Sequence, residues 1–162
     1  MNLTHIHLIT NHIPVIGTGI GILILLLGMY RKSLEVQFAA YFILIASTFG
    51  AIIAYFSGEP AIESVEYIFD VSERSIEAHA DAARITFFSM LILAMMSLIA
   101  MLIITKKPLR ASAFAQIVLL VAAISFGLAA YTANLGGKIR HTEISQKSPN
   151  IMGEEPDEEI YE

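Results

Sequence analysis

The sequence predicts an all-α protein, an integral membrane up-down four-helix bundle, and three observations lead to this prediction. Hydrophobic residues make up 56% of the 162 residues and charged residues only 15%, whereas soluble domains carry about 25% charged residues. Four apolar runs each reach the length of about 20 residues that a helix needs to cross a bilayer. Short basic connections separate the first run from the second and the third from the fourth.

We place the four spans at about residues 6–30, 36–57, 76–105 and 112–135 of a membrane domain over 1–145, with an outer loop over 58–75. Lipid offers backbone groups no hydrogen-bond partner, so such segments must be helices. Short connections make successive helices antiparallel neighbours, which places the first and third diagonally across the core. The acidic segment 146–162 is expected to be a mobile or partner-bound tail.

Glycine and proline predict where helices end or become irregular. Gly58, followed by Pro60, predicts the end of the second helix and the start of a new segment. Gly136 predicts the end of the fourth helix in the same way. Pro14 has no backbone N–H to donate, so it predicts an irregularity near His12 in the first span.

The charges predict the topology and exclude some functions. The short connections hold five basic residues against one acid, namely Arg31, Lys32, Lys106, Lys107 and Arg110 against Glu35. Basic loops stay in the cytoplasm, so both termini and the 58–75 loop are predicted to face the exterior or periplasm. The net charge of −5 argues against nucleic acid as a partner. The absence of cysteine excludes disulfides, cysteine-ligated iron–sulfur clusters and c-type haem attachment.

All five histidines are predicted at the outer face, at different heights above the basic loops. His5, His7 and His12 begin the first span, His79 begins the third and His141 follows the fourth. Counting 1.5 Å per residue gives heights of about 28 Å for His12, about 36 and 39 Å for His7 and His5, about 40 Å for His79 and about 46 Å for His141. His12 is therefore the deepest, whereas His5 or His7 matches the height of His79.

These histidines are candidate ligands of a haem b. Two axial imidazoles must reach opposite faces of a porphyrin, which diagonal helices of a bundle with apolar walls provide. We expect His7 or His12 to pair with His79, and His141 to approach from the fourth helix. Arg140 is expected to complement the C-terminal dipole of the fourth helix, or to pair with a haem propionate or an acid of the outer loop. The polar residues predicted to orient the ligands are Asn11, Glu59, Glu77 and Asp81.

Two other interpretations remain open. The first is a non-haem copper, zinc or iron site that acid oxygens complete, with the ligands drawn from His5, His7, His12, His79 and His141. In the second, the histidines hydrogen-bond to acids in the headgroup layer, and the protein is a non-catalytic assembly or accessory subunit. A transporter is less favoured, because no acid or base lies in the middle of a span and no pair of broken helices is evident.

Four motifs mark the outer ends of the spans: a paired-histidine start, Gly-Glu-Pro, Glu-x-His-x-Asp and Gly-Gly-x-Ile-Arg-His. They lie here at His5 to Pro14, Ser57 to Pro60, Ile76 to Ala83 and Ala133 to His141. With them the chain resembles, over about residues 5–143, a family of small bacterial four-span membrane proteins of unknown function. The resemblance implies a bacterial inner-membrane protein, and relatives joined to Rieske-type or cytochrome modules imply redox work.

The sequence thus predicts a b-type cytochrome-like membrane subunit that transfers electrons near the periplasmic face, in the inner membrane and with both termini periplasmic. Its expected partners are membrane lipid, other subunits of a respiratory complex, and a periplasmic cytochrome c or a quinone. An electron-transfer or accessory subunit is favoured over a stand-alone enzyme.

Overall fold

The computed structural model describes residues 3–66, 73–106 and 111–140, with side chains for 3–59, 73–106 and 111–139. These residues form α1 (Leu3–Thr10), α2 (Ile13–Tyr30), α3 (Leu34–Glu66), α4 (Glu73–Lys106) and α5 (Ala111–Arg140), and no strand is found among them. Four stretches are long and apolar enough to cross a membrane, namely Leu3–Tyr30, Leu34–Glu59, Glu73–Lys106 and Ala111–Ile139. The all-α four-span fold is confirmed, and the chain is a multi-pass membrane protein by helix length and composition. The predicted tail over 146–162 lies outside the described residues.

The four spans form a square in chain order. α2 packs on α3, α3 on α4 and α4 on α5, while α5 closes the ring against α2 and α1 packs on α3. The first and third spans are therefore diagonal, as the sequence predicted, and Thr18 Oγ1 on α2 reaches Met90 Sδ on α4 at 3.8 Å. We call the end that holds the starts of α1 and α4 and the ends of α3 and α5 the histidine end. The opposite end is the loop end.

α2 and α5 each turn an interior stripe toward the core, meaning buried positions spaced alternately three and four residues apart. On α2 the stripe is Pro14, Thr18, Gly21, Leu25 and Gly28, and on α5 it is Ala111, Ala115, Val118, Ala122, Ser125 and Ala129. This spacing places one narrow seam of each helix in the core. Large apolar side chains lie on the outer surface, where Leu23 is 67% exposed, and lipid is the surrounding that suits them.

Hydroxyl groups join the helices inside the bundle. Thr86 and Thr132 share a hydrogen bond of 2.8 Å between their Oγ1 atoms, and Ser89 and Ser125 share one of 2.7 Å between their Oγ atoms. Both bonds connect α4 with α5. Small polar side chains let membrane helices approach closely and bond across the contact, so these pairs fix how α4 and α5 align.

The predicted irregularity near Pro14 is confirmed. The first span breaks between α1 and α2, at Asn11 and His12, because Pro14 cannot donate to the carbonyl oxygen of Thr10. The backbone N of Asn11 still donates to His7 O at 2.9 Å, and Ile16 N donates to His12 O at 3.0 Å. The chain therefore resumes a helical path directly after the break.

The helix ends predicted at the glycines are wrong. α3 continues through Gly58 and Pro60 to Glu66, and α5 continues through Gly136 to Arg140, so residues 58–66 and 73–75 of the predicted outer loop are helical. A glycine that stops a helix uses a left-handed backbone conformation, and neither Gly58 nor Gly136 has a positive φ. Both glycines lie instead where a histidine ring approaches the helix.

Candidate functional site

His7 lies on α1 and joins it to α3. Its Nδ1 atom is 2.8 Å from the carbonyl oxygen of Ala54. A carbonyl oxygen can only accept, so His7 Nδ1 carries the proton and donates it. The ring also lies beside Gly58, where an added Cβ would be 3.4 Å from His7 Cε1. His7 is thus held against α3, and in the neutral ring Nε2 is left unprotonated.

His79 makes the equivalent contact between α4 and α5. Its Nδ1 atom donates to the carbonyl oxygen of Thr132 at 3.1 Å. A Cβ added at Gly136 would be 2.9 Å from His79 Cε1, closer than packed carbon atoms allow. Glycine at position 136 therefore makes room for the imidazole, and the hydroxyl pair of Thr86 and Thr132 fixes this part of α5.

The two histidines share one local geometry. In each case the accepting carbonyl and the glycine beside the ring are four residues apart on one helix, Ala54 with Gly58 and Thr132 with Gly136. Four residues are about one helical turn, so carbonyl and glycine share a face. Two diagonal spans therefore bring two similarly held imidazoles to the histidine end.

This hydrogen-bond pattern is one that metal-binding histidines use. A ligating imidazole commonly donates its second ring N–H to a carboxylate or a backbone carbonyl, which fixes its tautomer and orientation. At His7 and His79 the carbonyls of Ala54 and Thr132 take that role. Each neutral ring then presents Nε2 as a Lewis base.

Asn11 adds a polar atom one turn further into the bundle. It lies four residues after His7 on the same helical face, and its backbone N donates to His7 O at 2.9 Å. Its Oδ1 atom is buried, and no hydrogen-bond partner for it is found in the part of the chain that the structure describes. Of the residues predicted to orient the ligands, Asn11 is the one that lies beside an interior histidine.

The structure separates the other two described histidines from this pair. The side chains of His5 and His12 are exposed. His12 is the N-cap residue of α2, and its side chain makes no capping hydrogen bond. Both residues lie on faces of the first span that point away from the interior stripe. His7, and not His12, is therefore the histidine of the first span that faces the core with His79.

The predicted acidic neighbours lie on the surface. The side chains of Glu59, Glu77 and Asp81 are exposed, and an Asp81 carboxylate oxygen is 3.6 Å from Arg84 NH1 in an exposed pair on α4. Backbone carbonyls, and not these carboxylates, receive the Nδ1–H groups of the interior histidines. The side chain of Arg140 and the whole of His141 lie outside the described residues.

Among the described side chains, those of residues 3–59, 73–106 and 111–139, no three His, Asp or Glu come together in a group that could hold a metal ion. Of the four described imidazoles, those of His7 and His79 face the interior, and two is the number of protein ligands of a bis-histidine haem. The non-haem metal site stays a prediction, because His141 belongs to its ligand set.

Sequence reasoning missed the glycines and carbonyls of the site. No residue type marks Ala54 and Thr132 as acceptors, since every residue has a carbonyl group. The choice between His7 and His12 did have a signal, because residues 7, 11, 14, 18, 21, 25 and 28 are spaced alternately four and three residues apart. His7 belongs to that stripe and His12 does not.

Comparisons of the chain with protein-family models, with curated proteins and with solved structures gave no match. The geometry on which a function can be argued is that of His7 and His79 with their carbonyl acceptors.

Proposed function

We propose that this protein is a b-type, haem-binding membrane subunit for electron transfer, whose haem iron is bound by Nε2 of His7 and Nε2 of His79. The observation that carries the proposal is the donation of both Nδ1–H groups to backbone carbonyls on neighbouring helices. Both histidines are half-buried, and a histidine with its Nδ1–H so committed has one ring nitrogen left to bind a Lewis acid.

The placement of the two imidazoles would let them hold a haem between them. α1 and α4 belong to diagonal spans, so the imidazoles approach the core from opposite corners, as bis-histidine ligation requires. Buried apolar residues at the histidine end include Pro14, Ala54, Ile76 and Ala82. When bound, haem supplies one-electron redox chemistry. The chain supplies the ligands, their orientation and protection from water.

We further propose that the histidine end faces the periplasm of a bacterial inner membrane. Arg31, Lys32 and Lys106 all lie at the loop end, and basic residues are retained on the cytoplasmic side. An electron partner would then meet the protein at the outer surface or in the outer leaflet. A periplasmic cytochrome c, a quinone or another subunit of a respiratory complex has the matching redox chemistry.

A reduced-minus-oxidised absorption spectrum of natively purified protein tests this proposal. The variants to compare are His7→Asn and His79→Asn, because the Asn side-chain amide can still donate to the carbonyl oxygen but has no counterpart of Nε2. We expect b-type bands in the wild type and their loss in both variants, at unchanged yield of folded protein. His12→Asn is the matched control and keeps the bands. Absence of the bands from the wild type, or their persistence in both variants, would contradict the proposal.

A second candidate function rests on the same two hydrogen bonds. Each bond joins one span to the next, His7 to α3 and His79 to α5, and such bonds stabilise membrane bundles without any ligand. In that case the protein is an accessory or assembly subunit. It would co-purify with a larger complex without haem, and the Asn variants would co-purify equally well.

A further inference from the structure

A second group of polar side chains lies in the core toward the loop end. The buried side-chain atoms without a hydrogen-bond partner in the described residues are Asn11 Oδ1, Gln37 Oε1, Tyr41 OH and Ser97 Oγ. Asn11 belongs to the histidine end. The other three lie in the half of the bundle nearer the loop end.

These three groups are sealed from the bundle surface. Tyr41 and Ser97 are 0% exposed and Gln37 is 3% exposed. Nearly all buried polar groups in folded proteins have a partner, and an orphaned one costs free energy. Three orphans in one region of one core therefore call for a common explanation.

The register of the helices places Tyr41 and Ser97 at one height. Thr48 Oγ1 on α3 donates to Met90 O on α4 at 3.1 Å. The two helices are antiparallel, so a step of seven residues back along α3 and a step of seven residues forward along α4 reach the same height. These steps lead from Thr48 to Tyr41 and from Met90 to Ser97. Both side chains are buried, so both face the bundle interior at that level.

Gln37 completes the group one turn closer to the loop end. It lies four residues before Tyr41 on the same face of α3, and helical side chains lean toward the helix N-terminus, so the Tyr41 ring leans toward Gln37. The amide Nε2 of Gln37 donates to Gly28 O at 3.4 Å. Its Oε1 atom is left as an acceptor.

The other two helices offer no partner at this level. Gly21 lies against Leu44 and Gly28 against Gln37, so Leu25 is level with Tyr41. The hydrogen bond between Ser89 and Ser125 sets the heights of α4 and α5 in the same way. Val118, seven residues before Ser125, therefore lies at about the height of Ser97. Leu25 and Val118 are both buried and apolar. The polar atoms are thus enclosed by groups that cannot hydrogen-bond to them.

We infer that Gln37, Tyr41 and Ser97 bind ordered water inside the bundle. Gln37 Oε1 can only accept, whereas the hydroxyls of Tyr41 and Ser97 can donate and accept, so the occupant must both donate and accept. It must also be small and neutral, because the site has no charged group. Water meets these conditions and typically makes about three hydrogen bonds to otherwise unpaired buried groups. This site is separate from the histidine pair and does not depend on haem.

A double-mutant cycle in thermal unfolding tests the inference, using the full chain in detergent or bilayers with Tyr41→Phe, Ser97→Ala and the double variant. If water joins the two hydroxyls, each single variant lowers Tm, and the double variant lowers it by less than the sum. If the hydroxyls are dry, each substitution removes an unpaired polar group and raises Tm. A rise in Tm, or additive changes, would overturn the inference.

The control is Ser47→Ala combined with Tyr41→Phe. The Ser47 hydroxyl is buried but donates to Ile43 O of its own helix at 2.9 Å. The changes in Tm caused by Ser47→Ala and Tyr41→Phe should therefore be additive.

Should the variants not purify, solid-state NMR of the wild-type chain in bilayers gives the answer directly. Polarisation transferred from water should reach the Tyr41 ring faster than it reaches the buried Leu93 side chain. Equal rates would overturn the inference.

Discussion

The two ends of the bundle bury polar side chains in opposite ways. At the histidine end, His7 and His79 each commit one ring nitrogen to a backbone carbonyl and keep the other as a base. Toward the loop end, Tyr41 and Ser97 are enclosed, and their hydroxyls have no hydrogen-bond partner among the described residues. The first arrangement suits a Lewis acid such as haem iron, and the second suits a neutral molecule that donates and accepts. Burial of polar groups in one core therefore does not indicate one function.

The two histidine contacts also differ from each other in how closely each ring lies against the neighbouring helix. A Cβ at Gly136 would be 2.9 Å from the His79 ring, whereas a Cβ at Gly58 would be 3.4 Å from the His7 ring and nothing lies within 4 Å of a Cβ at Gly137. The space around the His79 ring is therefore tighter than that around the His7 ring, although both use the same hydrogen-bond pattern.

The largest effect is expected for Gly136→Ala, which should destabilise the protein by about 1–3 kcal/mol through overpacking against His79. Gly58→Ala should cost less, because 3.4 Å is close to an ordinary contact distance. Gly137→Ala is the control and should be neutral or stabilising by up to about 1 kcal/mol, since alanine favours a helix. Unfolding of the three variants in one detergent provides the ranking. Equal stability of Gly136→Ala and Gly137→Ala would show that the His79 ring does not lie against α5.

An intermediate effect is expected in the aromatic cluster beside the histidine end. The Phe87 ring stacks on Tyr55 at 4.4 Å and 20°, and meets Phe56 and Phe88 edge to face. Phe87→Leu removes these ring contacts while keeping an apolar side chain toward lipid, and it should cost about 1 kcal/mol in all, because the rings of Phe56 and Phe88 are largely exposed. Thermal unfolding should show a lower Tm than for the control Phe49→Leu, whose ring is exposed on the outer surface. Identical losses at both positions would mean that the cluster adds nothing beyond contact with lipid.

The smallest effect is expected for Asp81→Asn. Asp81 and Arg84 form an exposed pair, and such pairs contribute at most about 1 kcal/mol. The variant should also leave the haem spectrum unchanged, because Thr132 and not Asp81 receives the Nδ1–H of His79. A shifted spectrum in Asp81→Asn would restore the ligand-orienting role that the sequence predicted for this carboxylate.

Residue patterns predicted the membrane fold well because length and hydropathy act locally. The four spans and the break near Pro14 follow from segments that can be understood one at a time. The diagonal placement of the first and third spans follows from short connections. None of these features requires knowledge of which side chain meets which across the bundle.

The site was less accessible because its decisive contacts join distant residues. Gly136 has two possible uses, stopping a helix or admitting a neighbour, and the choice depends on His79, which lies 57 residues earlier. Height along the helix favoured His5 or His7 over His12 as the partner of His79, and the direction around the helix then separates His7 from the exposed His5. The Ala54 and Thr132 carbonyls have no residue signature at all, so only the packing of α1 on α3 and of α4 on α5 reveals them.

The central claim is that His7 and His79 are neutral, Nδ1-protonated ligands whose Nε2 atoms face a shared partner. Nitrogen NMR of the purified, ¹⁵N-histidine-labelled protein tests it, with each signal assigned by its Asn variant. We expect an unprotonated Nε2 at both residues in haem-free protein, and a change in both signals, but not in that of His12, when haem is added. A protonated Nε2 at either residue in the haem-free protein, or a haem response at His12 alone, would contradict it.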